Sequence, residues 1–286
     1  MDILDCHTHF YDPTRPQGVP WPEQSDALLY RPVYPRHYQA LARPLGIIGT
    51  VVVEASAWVA DNDWVLGLGA AEPLIRGLVG HLEPGHPAFA ADLERLAANR
   101  LFRGIRVSGR DVLSLTDRDR VRDLEILAAR GLSLDVNGDV ASLPAVAAVA
   151  GAVPQLRIVI NHVANVRIDG GPPPSAWLSG LDLAAKRTNV FCKVSGLVEG
   201  TGRRDGKAPP DAAFYRPVLD AVWTRFGEER VIFGSNWPVS DVFAPLATVV
   251  AIVRTYTDTL GGRAAGRYFA GNARNVYRPP DHASSG

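Results

Sequence analysis

Short apolar runs rich in Val, Ile and Leu recur along the chain at residues 3–6, 47–53, 78–82, 102–107, 132–136, 156–160, 190–194 and 231–233. Runs of this length without a polar face predict strands buried on both sides, as in a parallel sheet covered by helices. Stretches of helical character separate them at 62–71, 88–98, 117–129, 142–150, 176–187 and 211–226, and a last one follows at 245–256. Strand–helix alternation predicts parallel strands linked by right-handed crossovers. Eight repeats of the unit predict an α/β fold closed into a (β/α)8 TIM barrel. An open doubly wound sheet would carry a glycine-rich phosphate loop after its first strand. Phe10-Tyr11-Asp12-Pro13 stand there instead.

Two segments break the rhythm. Residues 10–36 hold Pro13, Pro16, Pro20, Pro22, Pro32 and Pro35 with Trp21, Tyr30 and Tyr34, and residues 164–176 hold Gly170-Gly171-Pro172-Pro173-Pro174. Both follow strands, so both belong on the C-terminal rim where barrel sites are built, and both are expected to wall a pocket. A length of 286 residues suits one barrel domain over 1–286, with residues 278–286 as a frayed tail.

Composition narrows the partners. Lys and Arg number 30, as do Asp and Glu, so the formal net charge is zero. A nucleic-acid binder shows a basic excess or stripe, whereas the basic runs at 118–122 and 203–207 are interrupted by acids and read as solvated faces. Cys6 and Cys192 sit in or beside apolar runs and offer neither a disulfide framework nor a CxxC zinc spacing. The start, Met1-Asp2-Ile3-Leu4-Asp5, lacks the basic and apolar regions of a signal peptide. No apolar stretch approaches the ~20 residues that span a bilayer. The expectation is a cytoplasmic protein acting on a small molecule, without nucleic-acid or membrane partners. A homo-oligomer is compatible with the chain.

Candidate chemistry gathers at strand ends. His7 and His9 stand two apart where the first strand stops, and period-two alternation points both into the barrel mouth. Counting back by two places Asp5 on the same inward face, one layer below, as a partner that would orient an imidazole. The sixth strand ends in Asn161-His162. Three histidines with an open fourth position form a catalytic zinc arrangement, so His7, His9 and His162 are the candidate ligands of a divalent metal (zinc or manganese). His81 ends the third strand within reach of the pocket, while His37, His86 and His282 read as loop or surface. Trp21, Tyr34, Trp58 and Trp237 offer flat apolar walls for a sugar or aromatic ring.

The eighth strand continues as Gly234-Ser235-Asn236-Trp237-Pro238. His-x-His after strand one, His after strand six and Gly-Ser-x-Trp-Pro after strand eight resemble the amidohydrolase superfamily. More narrowly they resemble its family-2 branch, which holds sugar-acid and pyrone-dicarboxylate lactonases. Val51-Val52-Val53-Glu54-Ala55, Asn62-Asp63-Trp64, Gly77-Leu78-Val79-Gly80, Phe102-Arg103-Gly104-Ile105-Arg106, Lys193-Val194-Ser195-Gly196-Leu197 and Tyr268-Phe269-Ala270-Gly271-Asn272-Ala273 fit the same branch in the same order. The resemblance implies a hydrolase that opens a small lactone by water attack at the barrel mouth. It also implies that Arg106 and Lys193 hold a substrate carboxylate or carbonyl oxygen, and it extends to decarboxylases and C–C or C–N hydrolases.

One departure matters. Relatives in that branch usually carry aspartate, as general base, where this chain has Asn236. An amide donates and accepts hydrogen bonds but takes no proton near neutral pH. Three repairs are open. A metal on His7, His9 and His162 could supply hydroxide, since metal-bound water reaches a pKa near ~7; this route is preferred. Asp241 could swing into the pocket, or Asp135 or Glu54 could serve as base. The reading from a different class is a catalytically silent ligand-binding homologue.

Overall fold

The computed structural model describes residues 1–280. Its strands are β1 (Ile3–Thr8), β2 (Ile47–Val53), β3 (Ile75–Gly80), β4 (Phe102–Ser108), β5 (Ser133–Asn137), β6 (Arg157–Ile160), β7 (Val190–Val194) and β8 (Val231–Phe233). All eight lie parallel, neighbour to neighbour, in the order of the sequence. The ring closes just past β8. There Asn236 N donates to His7 O at 2.8 Å and His9 N donates to Trp237 O at 2.9 Å. The expected barrel is therefore present, and its seam lies at the candidate site.

The helices are α1 (Pro35–Ala42), α2 (Val59–Ala71), α3 (Phe89–Ala97), α4 (Arg118–Ala129), α5 (Leu143–Ala152), α6 (Ser175–Ala185), α7 (Leu197–Gly200), α8 (Ala212–Phe226), α9 (Leu246–Asp258), α10 (Gly262–Gly266) and α11 (Asn272–Tyr277). Each helix predicted from the sequence is found within a few residues of its expected bounds. The third strand starts earlier than expected, because Ile75 and Gly77 already pair with Thr50 and Val51. Helix α1 escapes the pattern because it follows a proline-dense segment; Pro35 sits in its first turn, where a missing N–H costs nothing.

Two apolar layers hold the barrel. The larger lies between strands and helices. The smaller fills the interior with Leu4, Cys6, Val51, Val53, Val79, Val159 and Ile232, capped by Ala273, Val276 and Tyr277 of α11. Helix α11 thereby closes the N-terminal end of the barrel, opposite the site. Arg103 donates to Arg278 O at 3.1 Å and Arg76 to Pro280 O at 2.6 Å. Residues 278–280, expected to fray, are thus tied to β4 and β3; the rest of that expected tail lies outside the described residues. Both cysteines are buried and free.

Strand β1 corrects one expectation. Leu4 and Cys6 face the interior, so Asp5 faces out, pairing with Thr50 and accepting a hydrogen bond from Tyr38 of α1 at 2.5 Å. A register shift between Asp5 and Thr8 then resets the phase. His7 turns inward despite following an inward Cys6. Asp5 orients backbone instead of an imidazole: its Oδ1 accepts from His7 N at 3.0 Å and Ser235 N at 2.8 Å. Gly234 makes room for the shifted His7, since a Cβ there would come within 2.7 Å of His7 Cβ.

Candidate active site

His7 is fully buried behind the rings of His9 and His162, whose centroids lie 5.0 and 4.3 Å from its own. Its Nδ1 lies 3.4 Å from Lys193 Nζ, which also donates to Asp135 Oδ2 at 2.7 Å. An ion-paired ammonium only donates, so Nδ1 accepts and the neutral ring carries its proton on Nε2. Burial first, then the neighbouring His162 and Lys193, holds the His7 pKa well below the usual imidazole range. Its Nε2 is buried and meets no acceptor. Lys193 itself is 0% exposed and lies 5.3 Å from the centre of the Tyr277 ring. It supports His7 from below and does not reach the mouth as expected. Asp135, offered as a base, is committed to Lys193 and to the Tyr277 hydroxyl at 3.0 Å.

His162 arrives by an unusual route. His162, Val163, Ala164 and Asn165 all adopt positive φ, at 52°, 46°, 57° and 46°. Left-handed backbone costs an L-residue roughly 1–2 kcal/mol, and a β-branched Val there is a clear outlier. The turn is pinned by Trp177 Nε1, which donates to Val163 O at 2.8 Å, and by Asn165 Nδ2, which donates to Gly138 O at 2.9 Å. Its effect is to place His162 beside His7, with ring centroids 4.3 Å apart. His162 Nδ1 shares a 2.9 Å hydrogen bond with Ser195 Oγ. Gly196, at φ 65°, passes so close that a Cβ would stand 2.8 Å from His162 Cβ.

His9 donates from Nδ1 to Val53 O at 2.9 Å, leaving Nε2 as an acceptor. Burial, followed by the charge of Arg106, pushes its pKa down to about 3. Its Nε2 stands 3.2 Å from Asn236 Oδ1. Asn236, at φ 61°, uses the left-handed conformation that asparagine tolerates better than most residues. Its Nδ2 donates to Glu199 Oε1 at 2.7 Å. Glu199, on α7, was not foreseen. A lone acid four residues past Ser195 carries no motif, and only its position after a barrel strand could have drawn notice. Its Oε2 is buried without a partner. Burial chiefly, with some help from Asp241, raises its pKa to about 7.

That shift sets a stability prediction. A carboxyl whose folded pKa is raised binds its proton more tightly in the native state, so stability falls as pH climbs from ~4.5 through ~7. Glu199→Gln removes this term. Urea denaturation should find the variant more stable than the parent by up to about 2–3 kcal/mol at pH 8.5 and equal to it near pH 4. Parallel stability curves for the two proteins would show that Glu199 ionises like a solvated carboxylate.

His9, Trp21, Glu54, Arg106, His162, Glu199, Arg204 and Asn236 line one cavity of about 690 Å³, within the ~300–1,000 Å³ usual for small-molecule sites. Arg106 Nε donates to Glu54 Oε1 at 2.7 Å across its wall. The other predicted residues lie elsewhere. Trp237 is 1% exposed and packs on Tyr38 and Phe10 in the core, whereas Trp58 stands 40% exposed. The Asp241 carboxyl faces Trp237, Leu246 and Arg31, outside the cavity wall. Tyr34 donates to Asp12 at 2.5 Å in the proline-rich loop. His81 lines a neighbouring depression with Arg106. The side chains of His37 and His86 accept from the backbone of Tyr34 and Ala88; His282 lies outside the described residues. Of the two expected walls, residues 10–36 supply Pro20, Trp21, Asp26 and Leu29. The stretch 164–176 supplies only Asn165, its Gly170 packing against Phe214 of α8.

The three imidazoles do not form a metal cradle as they stand. The Lys193 contact makes His7 Nε2 a proton donor instead of a lone-pair ligand. Among the described residues no three of His, Cys, Asp and Glu are arranged to hold a metal ion. No described helix is long and apolar enough to cross a membrane.

A parallel barrel with a polar, imidazole-lined mouth at the ends of its strands defines a barrel hydrolase. Residues 4–278 match the Amidohydrolase family, and the chain belongs to it. It is 32% identical to a Burkholderia ambifaria protein named L-fucono-1,5-lactonase, over 96% of this chain and 95% of that one. A Burkholderia multivorans protein of the same name is 26% identical, over 99% of this chain and 98% of that one. A solved amidohydrolase from Burkholderia multivorans with bound zinc superposes with a TM-score of 0.85 at 26% identity, covering 98% of this chain and 100% of that one.

Proposed function

We propose that the protein hydrolyses a sugar-acid lactone, with water attacking the ring carbonyl in the cavity above His7. The observation that carries this reading is the buried His7 Nε2–H, a donor with no acceptor, held in one tautomer by Lys193. His7 does not itself line the cavity, so the ester carbonyl has to enter between His9 and His162 to supply the missing acceptor, and the negative charge that develops on its oxygen gains more from a fixed donor than the starting carbonyl does. The positive charge of Lys193 behind the ring works in the same direction. Because His7 and His162 have lowered pKa values, they polarise the carbonyl as neutral rings without giving up a proton. His9 Nε2 accepts from a substrate hydroxyl. Arg106 and Glu54 face the cavity as a paired donor and acceptor for further ring hydroxyls, and Trp21 gives the ring a flat wall. The two relatives named L-fucono-1,5-lactonase support this substrate class.

Zinc is bound in the solved relative, but the donor set here favours metal-free polarisation. The test is a panel of aldonolactones assayed for hydroxy-acid release. The expected result is turnover of at least one six-membered lactone, at a rate unchanged by chelator or by added zinc or manganese. A protein that opens no lactone under any of these conditions overturns the reading. Carbon dioxide release from aromatic acids would move the function to decarboxylation.

A further inference from the structure

We infer that Glu199 is the general base of this hydrolysis, accepting at Oε2 the proton that Asn236 cannot take. The inference rests on the lactonase reading above and adds the group that activates the water. Among the described carboxylates that line the cavity, the others are committed. Glu54 is bound to Arg106 at 2.7 Å. Asp26 accepts from the N–H groups of Leu28 and Leu29 at 3.2 and 3.1 Å and pairs with Arg204. Glu199 differs on two counts. One oxygen is fixed by Asn236 Nδ2 at 2.7 Å, and the other is buried with no partner. Asn236 lies between the carboxyl and His9, but no hydrogen bond joins it to the imidazole: its Oδ1 and His9 Nε2, 3.2 Å apart, are both acceptors. An amide donor holds a carboxylate in place without competing for the proton it is to receive.

The step balances without a co-reactant. Glu199 Oε2 takes a proton from water as the water oxygen bonds to the carbonyl carbon. The C=O electron pair moves onto the oxygen facing His7 Nε2–H. Its return breaks the ring C–O bond, and Glu199 passes its proton to the leaving alkoxide. One lactone and one water become one hydroxy acid. The groups that act on Glu199 are Asn236 and Asp241 past β8 and Tyr215 of α8, while His9 from β1, His162 past β6 and Arg204 ahead of α8 share its cavity. The Asp241 charge adds to burial in raising the Glu199 pKa to about 7, where a base is effective at neutral pH.

The test uses the lactone that the parent opens best. Glu199→Gln is expected to lower kcat ~10²–10⁴-fold, to change KM only a few-fold, and to abolish the rising limb near pH 7 in the rate profile. Added formate should speed up Glu199→Ala and leave the parent unaffected, a readout that a purely structural role would not move. An active parent whose Glu199→Gln variant keeps its rate or its limb overturns this inference alone, as does a Glu199→Ala enzyme that formate cannot rescue. A parent that opens no lactone overturns both this inference and the function it serves.

Discussion

Lys193→Met is expected to destabilise the protein by about 3–5 kcal/mol, measured by urea denaturation at pH 7. The ammonium and the Asp135 carboxylate are each 0% exposed and 2.7 Å apart in the middle of the barrel. Removing the cation leaves a buried carboxylate whose remaining partner is the Tyr277 hydroxyl. An uncompensated buried charge costs far more than the pair contributes when intact. The double variant Lys193→Met/Asp135→Asn should therefore recover most of the loss, since Asn still accepts from Tyr277. It should not recover activity, because His7 Nδ1 has lost the donor that fixes its tautomer. A single-variant loss below about 1 kcal/mol would show that water reaches the pair. Full activity in the stable double variant would show that the tautomer does not depend on Lys193.

The barrel was legible because each strand is a short apolar run between helical stretches, and burial on both faces leaves that mark directly in the sequence. The histidines were legible as well, since a His-x-His pair at a strand end is unusual. Their geometry was less so. Period-two counting put Asp5 inside, and it fails because one register shift in β1 lies between Asp5 and Thr8. Nothing in Asn161-His162-Val163-Ala164-Asn165 announces four consecutive positive φ values; the turn exists because Trp177 and Gly138, distant in sequence, hold it. Lys193 looked like a rim cation because it sits near a strand end, yet its side chain points into the interior, where Asp135 is close enough to pair with it. Trp237 and Trp58 show the same limit, since an indole beside a motif serves a core or a surface equally well. Glu199 was invisible because what distinguishes it is an unpartnered buried oxygen, a property of packing.

His7→Ala is expected to reduce kcat ~10²–10³-fold, the usual effect of deleting one preorganised donor to a developing oxyanion, while KM changes little. The reason lies in when the interaction strengthens. A carbonyl oxygen in the bound lactone accepts a hydrogen bond weakly, whereas the oxyanion of the tetrahedral intermediate accepts it strongly, so the lost energy appears in the transition state. His7→Gln keeps an N–H donor on a comparable reach and should fall between the parent and the alanine variant. Neither substitution should move the rising limb near pH 7, because the His7 pKa is held well below that range by burial and neighbouring cations. That separates its role from the one assigned to Glu199. Steady-state kinetics from pH 5 to 9, with urea midpoints to establish that each variant is folded, decide the matter. A raised KM at unchanged kcat would make His7 a ground-state binding group. A limb that shifts with His7→Gln would mean that the imidazole, and not Glu199, takes the proton.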